Sequence, residues 1–206
     1  ILTHIRRSEK VLIMKRLLLI LILTLSIQTL VKADDISDFQ IEGMSVGDSA
    51  LDYFVKDQLM NLEKGVYPNS DNFYFVVSPN KNFLTYDEVI FHFKKNDDNY
   101  VIHAIGGALD FVRASECFKK QKEIKNDIIK MLPMIKENSY EFRYSEDDTG
   151  KSFAVVTDFK LNIGDIRVWC TDWSKKMEDE KNRGDNAQIT IQSKELSLFM
   201  LNDAYK

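Results

Sequence analysis

The stretch SECFKKQKEIKNDIIKMLPMI, residues 115–135, decides the fold. Its apolar side chains recur three, four or seven residues apart, whereas lysines and glutamates fall between them. This spacing predicts one long amphipathic helix that Ser115 caps and that Pro133 ends or kinks near its last turn. The face that this helix turns to the core carries Cys117, Ile124, Ile128, Leu132 and Ile135.

Three strand patterns precede this helix and three follow it, with a further helical pattern before the first group and after the second. This arrangement predicts an α+β fold in the order α-βββ-α-βββ-α. We expect antiparallel sheet of about six strands with helices packed mainly on one face. Alternating aromatic residues at 140, 142 and 144 are compatible with a short extra strand. The strand patterns cover residues 73–77, 86–95, 100–111, 153–161, 165–173 and 187–192, and the outer helices cover about 49–62 and the residues after Ser193.

The two cysteines, Cys117 and Cys170, are too few and too far apart for a zinc site of the Cys-x-x-Cys kind. A turn at residues 162–164 places Cys170 on the apolar face of its hairpin, just as Cys117 lies on the apolar face of its helix. Two independent periodicities therefore predict a disulfide, which would stabilise the fold by about 4 kcal/mol. The alternative is a pair of unpaired buried thiols.

The first 33 residues read as a leader rather than as part of the folded domain. Met14 begins a basic start, which a fifteen-residue apolar run and a Val-x-Ala site follow, as is typical of a secretory signal. The run is shorter than the roughly twenty residues that span a bilayer. We expect residues 1–13 to be untranslated upstream sequence, residues 14–33 to be a signal peptide and residues 34–206 to form a single α+β domain. The alternative is an uncleaved membrane anchor.

The segment that follows this leader is strongly acidic. Residues 1–33 hold six of the 28 basic and one of the 32 acidic side chains, so residues 34–206 carry a net charge of −9. Such a charge gives no general attraction for nucleic acid or for anionic lipid surfaces. Two cysteines in an exported chain fit an oxidising compartment. We therefore expect a periplasmic or secreted protein with no membrane span after signal removal.

The stretch IEGMSVGDSALDYF, residues 41–54, resembles uncharacterised small exported proteins of marine alphaproteobacterial type. The resemblance continues through both cysteine regions. It implies an exported location and a fold, and it brings no activity. A Gly-Met-Ser turn that opens a helix before strands is also similar to small outer-membrane assembly lipoproteins, but the lipid-bearing cysteine of those proteins has no counterpart here.

The histidines His92 and His103 are candidates for a metal site or an acid–base pair. If Asp97 and Asp98 form the tip of a tight hairpin, the two histidines lie directly opposite each other. A metal would need a third ligand from Glu88 or Asp110, and the alternative is a half-buried pair within the sheet. We expect no cofactor.

A further pattern, DTGKS at residues 148–152, resembles the end of a phosphate-binding loop. Acidic residues precede it and a strand pattern follows it, whereas a phosphate loop needs an earlier glycine and a following helix. The pattern therefore predicts a turn.

Two tryptophans give the remaining candidate site. Trp169 and Trp173 lie on the face opposite Cys170, so we expect them on an open sheet face that binds an envelope protein, a peptide or a glycan. Burial under a helix or loop is the alternative. The preferred function is a non-catalytic binding or envelope-associated interaction module. The alternative function is a small periplasmic hydrolase or metal-dependent enzyme that uses His92 and His103.

Overall fold

The fold is described by a computed structural model for residues 36–79 and 83–205 of the 206-residue chain. The predicted upstream sequence and signal peptide, residues 1–33, lie outside the described residues. Contacts along the chain group Ala33–Lys206 into one unit.

Eight antiparallel strands form one sheet in the order β1-β2-β3-β4-β8-β7-β6-β5. The antiparallel α+β fold is therefore confirmed, whereas the predicted count of about six strands and the predicted element order are wrong. The two additional strands are β1 and β5. Strand β1 has three residues, too few to show an alternating pattern. All seven residues of β5 are exposed, so buried and exposed side chains do not alternate along it. The strands are β1 (Lys64–Val66), β2 (Phe73–Pro79), β3 (Glu88–Lys94), β4 (Ala104–Phe111), β5 (Glu137–Arg143), β6 (Phe153–Lys160), β7 (Gly164–Asp172) and β8 (Asp185–Ser193).

In the described part of the chain four α-helices accompany the sheet, and the longest of these is the predicted central helix. It begins at Ala114 and ends at Met131, four residues earlier than predicted. It ends there because Pro133 has no N–H group with which to continue the helix. The acidic stretch after β7 contains a short helix that the Ser174 side chain caps. The helices are α1 (Lys56–Met60), α2 (Ala114–Met131), α3 (Lys175–Lys181) and α4 (Lys194–Asn202).

Helices lie on both faces of the sheet, so the prediction of helices mainly on one face holds only in part. Helix α2 packs over β7, β8 and β4 on the face that we call the helix face. There Ile128 joins a core that includes Ile105 and Val168. Helix α4 packs on the opposite face, where Leu196 joins a smaller cluster with Ala104. We call the remainder of this second face, from Glu88 of β3 across to β5, the open face.

Residues 41–54, which carry the family resemblance, brace the connection between β3 and β4. Gly43 and Gly47 have φ angles of 80° and 97°, which glycine adopts without strain. The N–H of Gly47 donates to the carbonyl of Ile102 at 2.9 Å. The helix predicted at residues 49–62 is reduced to a 3-10 turn, Ala50–Asp52, and to α1.

Glu42, in the same segment, holds the chain that leads into β3. Its carboxylate accepts hydrogen bonds from the backbone N–H groups of Leu84, Thr85 and Tyr86 at 2.9, 2.7 and 3.1 Å. Burial raises the pKa of this carboxyl, but the N–H donors outweigh burial, so the pKa lies below its ordinary value. The glutamate of this stretch therefore has a structural role.

We expect Glu42→Gln to lower the free energy of unfolding by about 1 kcal/mol, because an amide oxygen replaces a carboxylate that accepts three N–H bonds. Urea unfolding at pH 7 measures the difference. Glu63→Gln, a change at an exposed glutamate, serves as the control. Equal stability of the two variants would contradict the bracing role of Glu42.

Candidate binding surface

A row of side chains runs across the strands on the open face. Strand pairing places Tyr140 of β5 beside Val156 of β6, Val156 beside Trp169 of β7, and Trp169 beside Gln188 of β8. Neighbouring strands lie about 4.8 Å apart, so Tyr140 and Trp169 are roughly 10 Å apart. Val156 is buried between them, whereas Trp169 is partly exposed. These residues and Phe142 form what we call the Trp169 surface.

Tyr140 and Phe142 are the exposed aromatic members of this surface, and the sequence did not assign them to a site. These two residues are 39% and 49% exposed. The alternation at residues 140, 142 and 144 is the signal that places them on one face of a strand. Their position beside Trp169 depends on two successive strand pairings, which local alternation does not specify.

The indole N–H of Trp169 is available to a ligand. In the part of the chain that the structure describes, no hydrogen bond is made by this group, and no buried polar side-chain atom lacks a partner. The N–H is therefore accessible to solvent. An aromatic ring with a free polar edge is the kind of side chain that contributes both apolar contact and a directed hydrogen bond at interfaces.

Trp173, the second predicted binding residue, is buried, with 8% of its surface exposed. The ring centroids of Tyr144 and Trp173 are 4.4 Å apart, and the Arg183 guanidinium lies 5.3 Å from the Trp173 ring centroid. Its backbone N–H donates to the Asp185 carboxylate at 2.9 Å. The expectation that Trp173 lies on an open face is therefore wrong, because side chains from two other segments cover it.

A fixed ion pair lies next to the Trp169 surface. Arg167 donates two hydrogen bonds to Asp158, Nε to Oδ1 at 2.6 Å and Nη2 to Oδ2 at 3.2 Å. The Tyr140 hydroxyl donates to the same carboxylate at 3.3 Å. Bidentate pairing fixes both the charge and the orientation of the guanidinium, so Tyr140 and Arg167 are held in place before any partner binds.

The opposite end of the same row is acidic. Trp169 is followed across the sheet by Gln188, by a buried alanine and by Glu88, and Asp110 lies close to Glu88. Burial, and then the neighbouring carboxylates Asp110 and Asp87, raise the pKa of Glu88. Burial and Asp87 likewise raise the pKa of Asp110. Among residues 36–79 and 83–205, no lysine or arginine forms an ion pair with these carboxylates.

The predicted disulfide between Cys117 and Cys170 is confirmed. The two sulfur atoms are 2.03 Å apart and the Cα atoms 5.8 Å apart. Both cysteines are fully buried with Ala187, and Phe111 and Phe118 pack against them. The bond joins the first turns of α2 to the end of β7 and leaves the open face on the other side of the sheet.

The two histidines do not lie opposite each other. His92 pairs with Ala104, although the His103 backbone N–H donates to the His92 carbonyl at 2.9 Å. The register differs from the prediction because Asn96 and Tyr100 adopt left-handed backbone conformations, with φ angles of 62° and 50°, which lengthen the turn. The paired-histidine geometry proposed for a metal site is thus not formed.

Each histidine has a different neighbour. The Nδ1 atom of His92 lies 2.5 Å from the Tyr67 hydroxyl oxygen. The Nδ1 atom of His103 lies 3.6 Å from Glu195. Glu88, a predicted third ligand, is four residues from His92 along an extended strand and hence about 13 Å away. Within the described ranges, no three histidine, cysteine, aspartate or glutamate side chains converge to hold a metal ion.

The DTGKS pattern forms a turn, as predicted. Asp147, the residue before it, accepts hydrogen bonds from the side chain and N–H of Ser152 and of Thr149. Although burial opposes them, these bonds lower the pKa of Asp147. Ser152 in turn accepts a hydrogen bond from the Ser174 N–H at 3.0 Å. The polar groups of this segment are therefore used to join the β5–β6 turn to the start of α3.

None of the helices described between residues 36 and 205 combines the length and apolar composition needed to cross a membrane. Comparison of the chain with protein-family models, with curated proteins and with solved structures gives no match. The resemblance carried by residues 41–54 therefore stays a prediction, and the candidate function rests on the geometry of the chain itself.

Proposed function

We propose that this protein is an exported, non-catalytic binding module that holds a cationic segment of a polypeptide on the Trp169 surface. The observation that carries the proposal is the partly exposed Trp169 ring with its accessible indole N–H, beside the exposed Tyr140. Aromatic residues and arginine are enriched at protein interfaces, where large rigid side chains act as anchors. Because Arg167 and Asp158 fix Tyr140, part of the surface is preorganised, which lowers the entropic cost of binding.

The charge distribution indicates the chemistry of the partner. The row that begins at Tyr140 and Trp169 ends at Glu88 and Asp110, whose carboxylates have no basic partner among the described residues. Three strand spacings separate Trp169 from Glu88, or about 14 Å. An extended chain covers that distance in about four residues. A segment with an apolar anchor and a lysine or arginine four residues away therefore fits both ends of the row.

Export is part of the same proposal. The buried Cys117–Cys170 disulfide is compatible with an oxidising compartment, and the net charge of −9 for residues 34–206 keeps such a protein away from anionic lipid surfaces. A periplasmic or secreted location also places the Trp169 surface where envelope polypeptides are accessible.

The test uses synthetic peptides that carry leucine or phenylalanine and lysine four residues apart, titrated against the oxidised protein. We expect Trp169→Ala to weaken binding at least ten-fold, because it removes the central anchor. Intrinsic fluorescence reports binding in the parent chain, and calorimetry reports it in the variant. Val66→Ala, a change at an exposed side chain on β1, is the control and should leave affinity unchanged.

Two further titrations test the class of ligand and the role of charge. Peptides in which glutamate replaces lysine should bind less tightly, and added salt should weaken binding of the lysine peptides, because Glu88 and Asp110 attract a cation. Binding of neutral oligosaccharides, with no binding of either peptide set, would overturn the polypeptide assignment. Equal affinity of the parent and of Trp169→Ala would exclude the Trp169 surface as the binding site.

A further inference from the structure

The free edge of β5 offers a second surface with a different partner. Among the strands of residues 36–79 and 83–205, β5 is the last in the sheet, and all seven of its residues, Glu137–Arg143, are exposed. It contains no proline and no glycine, and it shows none of the bulges by which natural sheets protect an edge. An unpaired edge of this length is a template for the addition of another strand.

The hydrogen-bond phase of β5 shows which backbone groups face outward. Just beyond the strand, the Tyr144 N–H donates to the Ser152 carbonyl at 3.2 Å in the same register as the β5–β6 pairing. In an antiparallel pair, bonded and non-bonded positions alternate. The even-numbered residues of β5 therefore bond to β6. The residues whose N–H and C=O groups face the free edge are Glu137, Ser139, Glu141 and Arg143.

We propose that a second copy of this chain adds to the free edge of β5, antiparallel to it, with a two-fold axis at Tyr140. In this register Glu137 of each copy lies opposite Arg143 of the other. Opposite charges in directly opposed positions stabilise a strand pair. The outward-facing residues then exchange backbone hydrogen bonds as Glu137 with Arg143 and as Ser139 with Glu141, each twice. The charge pattern of β5 is thus self-complementary between two antiparallel copies.

The neighbouring symmetric registers are disfavoured by like charges. With the axis at Ser139, Glu137 lies opposite Glu141 twice. With the axis at Glu141, the two copies of that residue oppose each other. The side chains concerned are accessible, since Glu137 is 37% and Arg143 61% exposed. Glu137 pairs with Lys125 and Arg143 pairs with Glu141. Arg143 also donates to the Gly150 carbonyl at 2.9 Å, so all of these partners lie within the same chain.

The pairing joins the two sheets into one continuous sheet. The two-fold axis is perpendicular to the sheet, so the open faces of both copies lie on the same side. The two Tyr140 side chains meet at the axis in a non-bonded pair, where opposed side chains approach most closely. Two Trp169 surfaces then flank this pair. The dimer rests on β5 alone and does not require that the Trp169 surface bind a peptide.

A charge exchange tests the register. Sedimentation velocity of the oxidised protein over a concentration series should show reversible dimers. Glu137→Arg and Arg143→Glu should each raise the dimer dissociation constant at least ten-fold, because like charges then face each other. The double variant E137R/R143E should restore dimers. An equimolar mixture of the two single variants should also dimerise, since each restores the pairing that the other lacks.

Circular dichroism and the retained disulfide show whether each variant is folded. A chain that sediments as a monomer at every concentration would overturn the proposal. Dimers that both single variants leave unchanged would also overturn it, because they would use another surface. Loss of dimers in the single variants without recovery in the double variant or in the mixture would exclude the register centred on Tyr140.

Discussion

Replacement of both cysteines, as C117A/C170A, is expected to lower the free energy of unfolding by about 4 kcal/mol. The disulfide spans 53 residues, and the stabilisation from closing a loop of that length in the unfolded chain is of this size. Alanine is the appropriate replacement because both sites are fully buried, and a serine hydroxyl there would add an unpaired polar group. Urea unfolding of the oxidised parent and of the variant measures the difference.

The parent protein treated with dithiothreitol provides the matched comparison. If the covalent bond is the source of the stability, the reduced parent and C117A/C170A should unfold at nearly the same urea concentration. Helix α2 should remain folded on the sheet in both, because Ile128 and Leu132 are buried in the main core independently of the bond. A variant within about 1 kcal/mol of the oxidised parent would show that the disulfide contributes little.

The success of the disulfide prediction has a simple physical basis. A register shift of two residues leaves every side chain on the same face, whereas a shift of one reverses the faces. Strands β6 and β7 pair with Phe159 opposite Ile166, two residues away from the register predicted from the turn at 162–164. Cys170 therefore still points to the helix face. Strands β3 and β4 differ from their predicted register by one residue, so His92 pairs with Ala104 instead of His103.

The strand order and the contacts between distant segments could not be predicted from local sequence patterns, because they depend on which strands become neighbours. Strand β8 lies between β4 and β7, although it follows both in the chain. Alternation specifies the face of a residue and says nothing of its neighbours across the sheet. It therefore predicts the correct face for Trp169, but not the proximity of this residue to Tyr140. The burial of Trp173 likewise depends on Tyr144 and Arg183, which come from other segments.

The second large effect is expected at His92, whose environment makes the folded state sensitive to acid. The ring lies between aromatic groups, with Tyr67 at 6.2 Å and Phe75 at 5.8 Å between ring centroids. Burial lowers the pKa of His92 from 6.5 to about 4. In the unfolded chain the imidazole takes up a proton at the ordinary pKa. Between these two values the unfolded state binds more protons than the folded state, so stability falls as the pH falls.

We expect the His92 contribution to be fully present above pH 6.5 and to be lost progressively down to about pH 4, with a total loss of about 3 kcal/mol. Carboxyl groups titrate over the same range, so the useful quantity is the difference between the parent and His92→Gln. The amide of glutamine takes up no proton in this range. The parent should lose its advantage over His92→Gln as the pH falls from 7 to 4.

His103→Gln is the matched control for this measurement. Burial lowers the pKa of His103 as well, but Glu195 opposes that effect and the side chain is less deeply buried than that of His92. Its removal should therefore change the pH dependence of unfolding much less than His92→Gln does. Parallel stability curves for the parent and His92→Gln from pH 7 to pH 4 would contradict the assignment. They would show that the Tyr67–His92 pair accepts a proton in the folded state as readily as in the unfolded chain.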